Sequence, residues 1–138
     1  MERILMLFTM ALALLVTTAA SAQTIKVNAN VPFDFIVNGA TMPAGEYSVE
    51  SLDSHGKVLV IGNLTSGAKS LVVATSCSAL ESADQTKLIF RRYGNSYFLR
   101  RIWVAGNDAG HEIPPTARER ELAKELSMKE VALMAAKR

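Results

Sequence analysis

Four arginines alternate with tyrosine, phenylalanine and tryptophan in a short segment of this 138-residue chain. A guanidinium group binds carboxylates and phosphates through paired hydrogen bonds and stacks on aromatic rings, so this segment has the chemistry to bind an anionic glycan, a lipid head group or an acidic strip of a protein. Arginine stems also cover apolar surface while pairing with carboxylates of the same domain, which is a purely structural use. We predict a candidate ligand surface comprising Arg91, Arg92, Arg100, Arg101, Tyr93, Tyr97 and Trp103.

A second group of polar side chains lies in the turn-rich stretch 105–115. Asp108, His111 and Glu112 offer oxygen and nitrogen ligands, and they support an alternative hypothesis, a small metal-dependent hydrolase centred on residues 108–112. Such sites usually need three or four protein ligands, and the other histidine, His55, is distant in the sequence. Solvated loop side chains are the simpler interpretation. We therefore predict no metal, no cofactor and no catalytic residue.

Motifs of known enzyme classes do not change this expectation. Ser54 with Lys57 and Ser66 with Lys69 match S-x-x-K, but both pairs lie where turns meet strands, whereas the penicillin-recognising enzymes carry that motif on a helix. The chain has no G-x-S-x-G, no phosphate-binding loop and no dinucleotide fingerprint. We expect a non-enzymatic protein.

The arginines are positioned by two strands that flank Gly94-Asn95, a dipeptide that favours a two-residue hairpin turn of type II′. The corresponding register places Arg91 and Arg100 on one face of the hairpin and Arg92 and Arg101 on the other. Its facing pairs are Phe90 with Leu99, Arg91 with Phe98, Arg92 with Tyr97, and Leu88 with Arg101.

Upstream, every second residue from Ile25 to Val37 is apolar, which is the pattern of a half-buried strand. The run is long for one strand and Pro32 cannot donate a ladder hydrogen bond, so we expect a bend or a change of sheet near Asn30–Pro32. The sequence Met42-Pro43-Ala44-Gly45 then reverses the chain.

At these residues the chain resembles a family of small exported bacterial proteins. The shared motifs are VPFDF at 31–35, PAGEY at 43–47, the hairpin RRYGNSYFL at 91–99 and the tail RERELAKE at 118–125. The resemblance implies export and a β-rich body. It supplies no catalytic residue.

Two further strands are predicted by the apolar runs Lys57–Leu64 and Leu71–Thr75. Both are apolar at odd and even positions, so we expect them to be covered on both faces and to form the centre of the core. Cys77 continues the second run and has no partner cysteine, which favours a buried, inert thiol over a reactive one.

A helix is predicted to start at Thr116, with Glu119 as the partner in a capping box. The following residues, to Arg138, are rich in good helix formers. A stripe of Leu122, Leu126 and Leu133 is interrupted by Lys129, so the helix is expected to cap the sandwich rather than to dimerise.

The N-terminus reads as a secretory signal peptide. An apolar run from Ile4 to Val16 is too short to span a bilayer and is followed by small residues, including Ala20 and Ala22, that fit an A-x-A cleavage site. We predict an exported protein, periplasmic or secreted, that touches the membrane only through this peptide before cleavage.

The predicted organisation is a signal peptide (1–22), a β-domain (23–115) and a charged C-terminal helix (116–138). The fold class is mainly β, an antiparallel β-sandwich or small barrel followed by the helix. Residues 23–117 carry eight basic and eight acidic residues, so a nucleic-acid partner is not expected. We expect a domain that binds a protein or an anionic glycan or lipid head group. A purely structural, self-assembling subunit is a further alternative.

Overall fold

The computed structural model describes residues 25–53, 57–78, 85–106 and 109–137. Within these ranges the chain forms twelve strands and one short helix, α1, at Ala117–Glu125. The predicted signal peptide lies outside the described residues. The strands are β1 Lys26–Val31, β2 Phe35–Val37, β3 Ala40–Met42, β4 Gly45–Ser51, β5 Val58–Asn63, β6 Lys69–Val73, β7 Thr75–Ser78, β8 Lys87–Tyr93, β9 Ser96–Trp103, β10 Ala109–Glu112, β11 Met128–Met134 and β12 Ala136–Lys137.

The strands form two sheets, which confirms the predicted mainly-β fold. Sheet 1 has the order β12-β1-β4-β5-β6, and sheet 2 has the order β11-β8-β9-β10-β7. A small hairpin, β2–β3, joins sheet 2 through a parallel bridge between Ile36 and Phe98. The sheets do not close into a barrel, so the sandwich is the correct one of the two predicted architectures.

Among the described residues, four connections cross from one sheet to the other, and β3 of sheet 2 leads back into β4 of sheet 1. β1 of sheet 1 leads into β2 of sheet 2, which confirms the change of sheet predicted near Asn30–Pro32. β6 continues into β7 at the buried Ala74, and β11 continues into β12 at Ala135. The last two crossings join edge strands, so the chain itself ties the two sheets together along both sides.

The core lies between the sheets and is built from the inward-facing residues of both. Phe35 packs edge-on against Tyr47, with ring centroids 4.9 Å apart, and against Phe90 at 5.5 Å. These three rings therefore connect the two sheets. The largest fully buried side chains are Tyr47, Phe35, Phe90, Leu59, Ile61, Leu88, Ile102, Val27, Val31, Val37 and Val49.

The VPFDF and PAGEY motifs contact each other at the chain reversal. The Ala44 N–H donates to Asp34 Oδ1 at 2.8 Å, and the Tyr47 hydroxyl donates to the Pro43 carbonyl. Both bonds satisfy backbone groups of a turn that has no ladder partner. The two motifs thus stabilise the same chain reversal.

The hairpin β8–β9 has the predicted turn, with Gly94 at φ +61° as the first position of a type II′ turn requires. The register is confirmed for the pairs nearest the turn, from Tyr93↔Ser96 to Phe90↔Leu99. Beyond them a β-bulge shifts the pairing, so Arg101 stands opposite Ile89, and the predicted pairing of Leu88 with Arg101 is wrong. The bulge inserts one residue into β9, which changes the partner and the face of every residue after it, so Arg101 shares a face with Arg91 and its predicted place beside Arg92 is wrong.

The predicted C-terminal helix is correct only in its first half. Thr116 caps α1 by accepting from the Glu119 N–H, but the helix ends at Glu125. Residues 128–134 form β11 instead, paired antiparallel with all of β8. The open edge of β8 outweighs the helix propensity of this segment, because seven residues of strand pairing and the packing of Val131 and Leu133 on the core are available only to a strand.

Candidate binding surfaces

The structure separates the seven predicted surface residues. Arg92 and Tyr97 lie together where the hairpin turns, next to the core aromatic cluster. The other five, Arg91, Tyr93, Arg100, Arg101 and Trp103, lie on the outer face of sheet 2. They do not form one continuous surface.

Arg100 is buried beneath α1, with only 4% of its surface exposed. Its Nη1 donates to the Ile113 carbonyl at 2.6 Å, Nη2 lies 3.4 Å from Glu112 Oε1, and Nε lies 3.6 Å from Glu119 Oε1. Glu119 is the one buried residue of α1, and the hydroxyl of the buried Tyr93 lies 3.5 Å from its Oε1. We call Arg100, Glu112, Glu119 and Tyr93 the Arg100 cluster.

Burial governs the electrostatics of this cluster. Desolvation raises the pKa of Glu119, and Arg100 and Arg91 oppose that rise. Desolvation lowers the pKa of Arg100, against the attraction of Glu119. Arg100 and Tyr93 are therefore unable to meet a ligand from solution, and their place in the predicted ligand surface is corrected: they hold α1 on sheet 2.

Most of the remaining members of the predicted surface make contacts within the chain as well. Arg101, whose side chain is 37% exposed, lies 3.8 Å from Glu112, and Arg91 stands opposite Glu130 of β11. Arg92 donates to the Gly94 carbonyl at 2.7 Å and lies over the Tyr97 ring. The half-buried Trp103 ring lies across the backbone of Gly110.

The segment of the hydrolase hypothesis, residues 108–112, is a strand over its described part. Residues 109–112 form a strand rather than a loop, so the neighbours His111 and Glu112 project to opposite faces. Glu112 is also engaged by Arg100 and Arg101, whereas Asp108 lies outside the described residues. Within the described part of the chain, no three side chains of the His, Cys, Asp and Glu types converge as metal ligands.

Cys77 lies on β7 opposite Gly110 and is half-buried. Desolvation and the nearby Glu112 carboxylate raise the pKa of its thiol, and Arg101 acts in the opposite sense. A raised pKa leaves little of the reactive thiolate at neutral pH. The thiol is thus less buried than predicted, and its raised pKa favours the neutral form over the reactive thiolate.

Sequence reasoning missed an apolar surface on sheet 1. The strands β5 and β6 were expected to be covered on both faces, and this is wrong: β6 is an edge strand, with Leu71 58% and Val73 68% exposed. On the outer face Val58 pairs with Val73 and Val60 with Leu71, and the exposed Leu52 adjoins Val58. We call Leu52, Val58, Val60, Leu71 and Val73 the edge patch.

Beside the edge patch runs a cleft of about 340 Å³, which we call the edge groove. One wall is β6, and the other is the segment from Ile113 to Thr116. Asn38, at the tip of the β2–β3 hairpin, also lines it and donates from Nδ2 to the Leu71 carbonyl at 3.0 Å. The sequence signal for this surface was that β5 and β6 are apolar at both odd and even positions. That pattern does not show which face of the strands stays exposed.

Comparison with protein-family models, with curated proteins and with solved structures finds no match to this chain. Among the helices that the structure describes, none has the length and apolar character to span a membrane.

Proposed function

We propose that this protein is an exported, non-enzymatic β-domain that binds a partner protein in the periplasm or outside the cell. The observation that carries the proposal is the edge patch, five aliphatic side chains that adjoin one another on the outer face of sheet 1. Contiguous exposed apolar surface is costly in water and marks interaction sites. Because the patch is aliphatic and lacks aromatic rings and charges, a protein fits it better than a glycan does.

The arginine-rich hairpin β8–β9 offers fewer free side chains for a ligand than its composition predicts. Arg100 is buried, Arg92 and Arg101 each have a partner within the chain, and Arg91 stands opposite the acidic Glu130 in the neighbouring strand. An anionic glycan or lipid head group would have to compete with those contacts. The aliphatic side chains of the edge patch form no polar contacts that a ligand would have to displace.

A photocrosslinking amino acid placed at Leu52 tests the binding proposal in the native envelope. We expect a discrete adduct that disappears when Leu71→Ser and Val73→Ser are introduced together, because two polar side chains break the apolar patch. The control carries the crosslinker at Arg118, an exposed position on α1. The same adduct from position 118, or an adduct that survives the double substitution, would contradict the proposal.

Export is tested separately by the mass of the mature chain. Cleavage after Ala22 leaves a protein that begins at Gln23. Recovery of the intact chain from the cytoplasm would refute the export part of the proposal and leave the binding part to be decided by the crosslinks.

A further inference from the structure

Strand β6 leaves one row of backbone groups open. The Ala74 N–H donates to the Lys57 carbonyl at 2.7 Å, and hydrogen-bonded pairs alternate along an antiparallel ladder. Ser70 and Val72 therefore direct their backbone groups at β5, whereas Lys69, Leu71 and Val73 direct theirs away from it. Among the described residues, the bond from Asn38 Nδ2 to the Leu71 carbonyl is the one contact that reaches this outward row.

Two prolines keep the edge open. β7 and β10 pair as far as Thr75↔Glu112, and the same register would place Ile113 opposite Ala74 and then Pro114 opposite Val73. Pro114 and Pro115 have no N–H to donate, so the ladder cannot continue past Glu112. β6 belongs to sheet 1, whereas the proline segment does not pair with it. The edge groove lies between β6 and the proline segment.

We propose that the edge groove receives an extended, uncharged apolar segment of a partner protein, which adds to sheet 1 as a strand beside β6. This inference rests on the proposed function and names the class of partner. Strand addition satisfies open backbone groups and gives affinity through main-chain hydrogen bonds, with side-chain pockets supplying specificity.

The groove determines the chemistry of the added strand. None of its nine lining residues is charged. An added strand would direct alternate side chains outwards beside Leu71 and Val73, and the others inwards towards Val72 and Ile113. The outward and the inward side chains of the added strand both contact apolar residues, so we expect a partner segment that is apolar on both faces. A volume of about 340 Å³ corresponds to roughly two to three strand residues at ordinary sheet spacings.

A second copy of this chain fits the groove less well. A stable dimer buries about 800 Å² on each partner, and the five side chains of the edge patch do not supply that area. The Ile113–Thr116 wall also stands where a second sandwich would have to approach β6 edge to edge. One extended segment meets neither obstacle.

Amide hydrogen exchange, followed by NMR on the purified protein, tests the proposal with a blocked heptapeptide of alternating valine and alanine, which is apolar on both faces. At saturating peptide we expect the Lys69, Leu71 and Val73 amides to exchange about tenfold more slowly or better, with Ser70 and Val72 unchanged because β5 already pairs them. Absence of this alternation, whether all five amides respond or none does, would overturn strand addition.

The variant Leu71→Pro removes an outward N–H that the β5 ladder does not use, a position where an edge strand tolerates proline. Its matched control, Leu71→Thr, keeps the donor. We expect the peptide to bind the threonine variant and not the proline variant, and equal binding to both would overturn the proposal. If the proline variant does not fold, the alternating exchange pattern of the wild type decides alone.

Two other outcomes would show which part of the proposal is wrong. Protection of the outward amides that grows with protein concentration in the absence of peptide would assign the groove to a second copy and overturn the proposal. A patch-dependent crosslink from position 52, together with no peptide-induced protection, would overturn strand addition while leaving the proposed function standing.

Discussion

Glu119 shows how one residue serves a purpose other than its motif indicates. The capping pattern predicted the start of α1, and the Glu119 N–H does bond to Thr116 Oγ1 at 3.5 Å. In a capping box the glutamate side chain returns to the cap residue. Here its carboxylate points towards Arg100 and the Tyr93 hydroxyl beneath the helix. The position could be predicted from local spacing, but its partner could not, since Arg100 lies on a strand remote in sequence.

Substituting Glu119 is expected to loosen α1. Glu119→Ala leaves the buried Arg100 with one carboxylate fewer, and we expect a loss of about 2 kcal/mol in the free energy of unfolding. This is less than the usual cost of breaking a buried pair, because Arg100 keeps Glu112 and the Ile113 carbonyl. Urea unfolding followed by Trp103 fluorescence measures it. The control Glu121→Ala, exposed on the same helix, should change stability by less than about 0.5 kcal/mol.

The same carboxylate predicts a pH dependence of known sign. Burial raises the pKa of Glu119 above its ordinary value of 4.5, although Arg100, Arg91, Arg120 and the Tyr93 hydroxyl all act to lower it. A group whose pKa is raised in the folded state stabilises most below its unfolded pKa, and that contribution is lost as the pH rises through the folded pKa.

We therefore expect the stability of the wild type, relative to Glu119→Gln, to fall as the pH rises from about 4 to about 7. Urea titrations of both proteins at constant ionic strength measure the difference. A difference that grows with pH would mean that the attraction of Arg100 outweighs burial.

At the level of elements, β11 and the β-bulge account for most of what the sequence did not predict. The segment MKEVALM contains good helix formers, yet Val131 and Leu133 also alternate as a strand requires. Periodicity over so short a run cannot choose between the two, and the unpaired edge of β8 decides. The bulge in β9 has no comparable sequence signal, whereas the turn at Gly94-Asn95 does.

The contact between β9 and β10 depends on a missing side chain. A Cβ added at Gly110 would lie 2.6 Å from Trp103 Cε3, too close for the ring to stay in place. We expect Gly110→Ala to cost about 1–3 kcal/mol and to shift the Trp103 emission maximum. Gly62→Ala is the matched control within a strand, because its Cβ would meet Lys69 Cγ at an ordinary 3.5 Å. Equal stability of the two variants would contradict the packing seen here.

For the molecule as a whole, the sequence predicted the fold class better than the exposed surfaces. The change of sheet near Pro32, the hairpin turn and the start of α1 all follow from local rules of proline, glycine and capping. Which strands become edges depends on how all the strands of a sheet pair. In sheet 1, β6 pairs with β5 and with no other described strand, which makes β6 an edge. For that reason the outer faces of β5 and β6 were predicted to be core, and buried Arg100 was predicted to lie on the surface.

The pairing of β1 with β12 affects how the protein can be made. Val27 lies opposite Lys137, so β1 completes its pairing only after a segment remote in the sequence has been made. A nascent chain that ends before residue 128 has neither β11 nor β12, and it leaves β8 and β1 as unprotected edges. A chain cut short before β11 is therefore prone to aggregate through these two edges.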